Sequence, residues 1–183
     1  MLKHCFLLLA CLFSPPVLSG EVIKSTVSHD HGIYHAAVEM QIEADTDKVY
    51  ALFTDFNYLS RLNDNITNSV LIEEAPPEYT VLVETHNCVL FFCIDLTQLQ
   101  KVTELDEGYI LVEDIKGESD FAFANSRWRV YAHGSGTRVS FSSEMKPDFW
   151  LPPLFGPWLF KNQLSEETQT MIEQLEQLAT HEH

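Results

Sequence analysis

TRVSFSSEM (137–145), PDFWLPPLFGPW (147–158) and LFKNQLSEETQTMIEQLEQLA (159–179) stand one after another near the C-terminus and decide the fold. The first alternates polar and apolar residues, as a half-buried strand does. The second is a joint stiffened by Pro152, Pro153 and Pro157, each with a fixed φ. In the third, Leu164, Thr168, Met171, Ile172, Leu175, Leu178 and Ala179 keep to one stripe at helical spacing. A helix with such a stripe must bury it, and the chain upstream reads as almost all strand. One long helix laid on a curved antiparallel sheet leaves a hollow between the two layers, and a ligand would sit there.

Working back from Thr137, His133-Gly134-Ser135-Gly136 is a hairpin turn after the strand Phe121–Ala132. A loop at Lys116–Asp120 separates that strand from Tyr109–Ile115, which itself follows a turn at Asp106-Glu107-Gly108. Ile94–Leu96 alternates and then slips phase near Thr97–Leu99, as a β-bulge would make it do. Tyr79–His86 and Val70–Glu74 are strands on either side of Pro76-Pro77. At the other end of the chain, Tyr34–Ile42 alternates cleanly and Asp45-Thr46-Asp47 caps a helix. Val49, Leu52, Phe53 and Phe56 form one face of that helix. Tyr58, Leu59 and Leu62 suggest a second short helix, ended by the polar run Asn63–Asn68, which contains the glycosylation triplet Asn65-Ile66-Thr67. The expected architecture is α+β. About seven strands curl round a long C-terminal helix, with two short helices after the first strand, in the helix-grip arrangement.

The length of 183 residues fits one domain, and 45% hydrophobic residues suffice for a core. Residues 1–20 have the parts of a secretory signal peptide: Lys3 and His4, the apolar run Cys5–Phe13, a break at Ser14-Pro15-Pro16, then Ser19 and Gly20. Leu8-Leu9-Ala10-Cys11 also resembles a lipoprotein cleavage box that would tether the chain through Cys11. The expected organisation is a signal peptide over 1–20, a flexible segment over 21–32 and the folded domain over 33–180, placed in the periplasm or secreted. Losing the signal peptide removes one basic residue and no acid, so the net charge moves from −16 to −17. A surface that acidic repels phosphate backbones, and nucleic acid is not an expected partner.

Export leaves two cysteines, Cys88 and Cys93, and an oxidising compartment favours their pairing. On a straight strand they would stand ~16 Å apart at ~3.3 Å per residue, beyond the ~7 Å Cα limit of a disulfide. Pairing therefore requires Val89-Leu90-Phe91-Phe92 to form a tight loop, and the alternative is two buried thiols in one strand.

The chain resembles the superfamily of START and Bet v 1-like domains, and within it the bacterial polyketide cyclase/dehydrase and coenzyme Q-binding group. Val49-Tyr50-Ala51-Leu52-Phe53-Thr54-Asp55-Phe56 resembles the group's opening helix. Ser126–Val130 followed by Gly136–Val139 is similar to its late hairpin, and Pro147–Pro157 is the most distinctive stretch. The resemblance covers residues 33 to 180 and implies a deep apolar cavity for a hydrophobic small molecule. A few members carry out cyclisation or hydrolysis there, but no residue here matches a transferable catalytic motif. A signal peptide departs from a group whose members are mostly cytoplasmic.

No nucleophile elbow, zinc-protease motif or Gly-rich phosphate loop is present, and no metal or cofactor is expected. The histidines at 29, 31, 35, 181 and 183 read as solvated ends. Glu113 and Asp114 are the weak catalytic candidates, since neighbours on a strand face opposite ways and one could act as a general acid inside the cavity. The favoured reading keeps both acids wet, with Val112 or Ile115 inward. Arg127 and Arg129 share a face opposite Trp128 and read as surface groups. Phe53 and Trp128 are expected in the cavity wall. Phe91, Phe92, Trp150, Leu154, Phe155 and Trp158 are expected in the wall or at the mouth, where exposed apolar loops would allow transient membrane contact. The functional expectation is an exported, non-catalytic protein that binds or transfers a hydrophobic, lipid-like molecule. The alternatives are a cyclase or hydratase using a cavity carboxylate, and an interaction module presenting Phe91, Phe92 and the 150–158 strip.

Overall fold

The structure is a computed structural model and describes residues 20–89, 92–149 and 156–181. In chain order the strands are β1 (Glu21–Asp30), β2 (Ile33–Ile42), β3 (Ile66–Ala75), β4 (Glu78–Val89), β5 (Phe92–Glu104), β6 (Tyr109–Ser119), β7 (Phe121–His133) and β8 (Gly136–Pro147). The helices are α1 (Thr46–Thr54) between β2 and β3, and α2 (Gly156–His181) at the end. All eight strands join one antiparallel sheet in the order β1-β2-β8-β7-β6-β5-β4-β3. The architecture is the helix-grip fold, with one strand more than the alternation indicates.

The extra strand is β1. The sequence reading leaves residues 21–32 flexible, but they pair with β2 from Glu21↔Gln41 to Asp30↔Ile33 across a His31-Gly32 turn. Both turn residues have positive φ, 49° and 81°, which suits the right-handed twist of a two-residue hairpin. β1 is an edge strand, mostly exposed, so backbone pairing holds it rather than an apolar face, and no clean alternation announces it. The second short helix contracts to a single 3-10 turn, Leu59–Arg61, because β3 already begins at Ile66 inside the polar run. The expected loop at Lys116–Asp120 is largely strand: β6 continues to Ser119.

Helix α1 starts at Asp45, whose carboxylate accepts from the backbone N–H of Asp47 at 3.0 Å and Lys48 at 3.2 Å, satisfying two donors that the first turn leaves unpaired. Helix α2 lies against β1, β2 and α1. Its stripe is the one read from sequence, with Thr168, Ile172, Leu175 and Ala179 buried. Ile172, Leu175 and Ala179 pack with Val38, Met40 and Ile42 of β2, Val49 and Leu52 of α1, and Val130 and Val139. The Glu176 carboxylate ties the helix to the sheet edge by accepting from the backbone N–H of Gly20 at 2.7 Å and of Glu43 at 2.8 Å. A Cβ on Gly20 would meet the Gln41 carbonyl oxygen at 2.5 Å and Ile172 Cγ2 at 2.7 Å, so only glycine fits under the helix there.

A second cluster, Phe56, Val81, Val83, Val102 and Ile110, lines the inner faces of β4, β5 and β6. The two clusters share partly buried neighbours, Tyr50, Phe53, Leu59 and Trp128. The hollow lies between them.

Candidate functional site: a cavity with an apolar end and a polar end

The cavity encloses about 300 Å³, at the lower limit of small-molecule pockets. Strand alternation builds its wall, because residues two apart point to the same face. Val81 and Val83 come from β4, Val102 from β5, Ile110 and Val112 from β6, Trp128 from β7 and Phe141 from β8. Phe53 and Phe56 close it from α1 and the residues just past it, and Met171 from α2. The Trp128 ring lies 5.2 Å from Phe53 and 4.2 Å from Phe141, centroid to centroid, so three aromatic rings form one continuous apolar surface.

Further along the same strands, toward the β4–β5 tip, the wall turns polar. Thr85, Gln98, Gln100, Asp114, Asn125, Ser126 and Ser143 line that end. Among the described residues Asp114 is the one charged side chain in the lining. Its carboxylate accepts from Gln98 Nε2 at 3.1 and 3.2 Å, Gln100 Nε2 at 3.4 Å and Ser119 Oγ at 2.5 Å. The β5–β6 register explains this cluster. Gln100 pairs with Asp114, but Gln98 pairs with Ser119, so residues 115–118 of β6 bulge out against Leu99 alone. The irregularity falls opposite 97–99, where the sequence suggests a bulge, but the extra residues are on β6 and β5 itself keeps its phase; Asp114 braces the base of the bulge. On the adjacent strands Ser126 pairs with Ser143, and Ser143 Oγ is buried with no hydrogen-bond partner among the described residues. A buried hydroxyl left unpaired costs about 1–3 kcal/mol, and a ligand hydroxyl would relieve it.

The expectation that both acids are wet is corrected. Asp114 shares the inward parity of Ile110 and Val112, and only Glu113 faces out. Glu113 borders a polar concavity on the outer face of the sheet with His35, Arg127 and Glu144, which shares Val112, Asn125, Ser126 and Ser143 with the cavity. Arg129 is also outside, 3.2 Å from Glu107 and with its guanidinium 4.8 Å from the Tyr109 and Tyr131 ring centroids. Phe53 and Trp128 line the cavity. Phe91, Trp150, Leu154 and Phe155 lie outside the described residues, as do the side chains of Phe92 and Trp158. Gln98, Gln100 and Ser143 were not singled out from sequence. The available signal was parity, since both glutamines share the face of Val102 and Ser143 that of Val139 and Phe141.

Cys88 and Cys93 are register partners across the β4–β5 hairpin and are joined by a disulfide, with Cα atoms 4.0 Å apart. Near the start of the fold, His31 contacts Asp30 at 2.7 Å and His35 contacts Glu144 at 3.3 Å, both on the surface.

The model of one protein family, described as polyketide cyclase/dehydrase and lipid transport, matches residues 34–180. The chain belongs to that family. Its fold recurs in a START superfamily protein from Mycobacterium smegmatis, at 15% identity over 80% of this chain and 98% of that one, with a TM-score of 0.63. It recurs in a STAR-related lipid transfer protein from Xanthomonas axonopodis, at 16% identity over 86% of this chain and 99% of that one, TM-score 0.61. The Zhui aromatase/cyclase from Streptomyces sp. R1128 shares it at 10% identity over 81% of this chain and 94% of that one, TM-score 0.66. No curated protein matches the sequence. Members of this family bind hydrophobic ligands or act as polyketide cyclases.

Proposed function

We propose that this protein binds, and carries outside the cytoplasm, a neutral lipid-like molecule with a hydroxyl-bearing head. The observation that carries this reading is the two-ended cavity: a large aromatic and aliphatic wall with, among the described residues, one negatively charged side chain and no cation in the lining. Apolar area gives affinity, and the few polar groups give orientation. A volume of about 300 Å³ suits a single short chain or a small ring system better than a two-chain phospholipid. The Asp114 carboxylate opposes an anionic head, whereas a hydroxyl can donate to a glutamine carbonyl and accept from Ser143. Export rests on the signal-peptide pattern of residues 1–20 and on the two-cysteine pairing, which suits an oxidising compartment.

The test is mass spectrometry of the protein recovered from its natural exported form, under native and then denaturing conditions. A native mass excess that disappears on denaturation, traced to a neutral amphiphile, is the expected result. A native mass equal to the denatured mass at every preparation would remove constitutive carriage.

One observation favours a second reading. Asp114 places a carboxylate at the end of an aromatic cavity, where it could take a proton from a polyketide-like substrate in a cyclising dehydration. That reading predicts a bound species that loses the mass of one water on the wild-type protein but not on Asp114→Asn.

A further inference from the structure

We infer that the tip of the β4–β5 hairpin is a thiol–disulfide exchange site, at which a small external thiol attacks Cys93 and Cys88 departs. The placement follows from strand geometry. His86 and Cys88 are two apart on β4, Cys93 and Asp95 two apart on β5, and the register pairs His86 with Asp95 and Cys88 with Cys93. All four side chains therefore share one face of the ribbon. His86 Nδ1 lies 2.6 Å from Asp95 Oδ1, and His86 Nε2 lies 3.2 Å from Cys88 Sγ. Both cysteines are exposed and open to a solute.

The arrangement is asymmetric, and the asymmetry sets the direction of attack. Asp95 accepts the Nδ1 proton, so the second proton of a charged imidazole sits on Nε2 and faces Cys88 Sγ. A thiolate forming on Cys88 is met by a hydrogen bond and a positive charge that the carboxylate supports from behind. Cys93 has no corresponding imidazole among the described residues. In exchange, the better-stabilised thiolate leaves faster. The incoming thiolate forms a bond to Cys93 Sγ as the bond between Cys93 and Cys88 breaks. The electron pair goes to Cys88 Sγ, which takes its proton from His86 Nε2. A second thiolate attacks the outer sulfur of the Cys93 adduct and releases Cys93 as thiolate. In sum, two thiols are oxidised to one disulfide and the protein disulfide is reduced to a dithiol; the reverse sequence restores it with a small disulfide as oxidant. This chemistry is independent of what the cavity binds.

The full chain, isolated without reductant, is mixed with reduced glutathione, trapped with excess N-ethylmaleimide and mapped by peptide mass. The first product should carry glutathione on Cys93 and the alkyl group on Cys88. His86→Gln should open about tenfold more slowly and distribute the adduct over both cysteines, with Asp95→Asn between it and the wild type. Because His86 is an exposed strand residue, an unchanged melting curve will certify the variant fold, and the wild-type adduct position is decisive without any variant. An adduct mainly on Cys88, free thiols at Cys88 and Cys93 in the isolated protein, or wild-type rate and distribution in His86→Gln would each overturn the proposal.

Discussion

Asp114 shows how a single residue's role was half legible. The sequence offers Glu113 and Asp114 as strand neighbours, and the favoured reading keeps both wet with Val112 or Ile115 inward; in the structure Ile110 and Val112 set the parity. Asp114 then falls inward with them. What the sequence did not reveal was why a carboxylate is tolerated there. Its partners, Gln98, Gln100 and Ser119, come from another strand and from beyond a bulge, and no local pattern announces a cross-strand hydrogen bond. The consequence is a selectivity set by charge. The wild type should bind a short-chain alkyl alcohol at least about tenfold more tightly than the carboxylate of equal length, a difference of about 1.4 kcal/mol. Asp114→Asn keeps the shape and one acceptor oxygen while removing the charge, so the alcohol should hold its affinity and the carboxylate should gain. Displacement of a fluorescent apolar probe by the two ligands measures the ratio. An unchanged ratio in the variant would separate Asp114 from head recognition while leaving cavity binding intact. Failure of both ligands to displace the probe would count against the cavity as a binding site.

Among the elements, α2 was the most readable and β1 the least, for opposite physical reasons. Helix α2 must bury seven residues on one stripe, and that demand is written at 3.6-residue spacing. β1 buries almost nothing, and its order comes from hydrogen bonds to β2 and from a turn with two positive φ angles. β6 falls between these cases: its inward residues alternate as far as Asp114, and the bulge then breaks the rhythm that would have extended it to Ser119. Along α2 the stripe also divides by task. Leu175 is fully buried among β2 and α1 side chains, whereas Met171, one turn earlier, reaches the cavity. Leu175→Ala should therefore lower unfolding free energy by about 2–5 kcal/mol, as buried leucines do. Met171→Ala removes atoms that face an existing space. It should cost less and should raise affinity for a bulkier ligand. Urea unfolding and ligand titration of both variants test the division, and equal destabilisation with equal affinities would refute it.

Across the whole molecule, the acidic balance and the burial of phenols act together at high pH. The chain carries a formal charge of −16 at neutral pH, and deprotonation above that only adds repulsion. Three tyrosines have phenols raised above their ordinary range. Burial is the first cause in each, and for Tyr50 and Tyr79 the nearby Glu104 carboxylate adds to it. Tyr50 donates to Glu104 at 2.7 Å, joining α1 to the end of β5. In the unfolded chain these phenols ionise near pH ~10, while in the fold they hold their protons to higher pH. Above pH ~10 the folded state therefore binds more protons than the unfolded one, and stability falls as pH rises toward the folded values. Below that point the contribution is complete. Added salt should soften the part due to net charge but not the part due to burial. Tyr50→Phe should cost about 1 kcal/mol near neutrality, because Glu104 loses a donor. It should also flatten the alkaline decline, since one phenol no longer resists ionisation. Urea unfolding of both proteins, at high salt and in steps from pH ~8 to ~11, separates the two effects. Parallel declines in wild type and variant would show that repulsion, rather than the buried phenol, governs the alkaline limit.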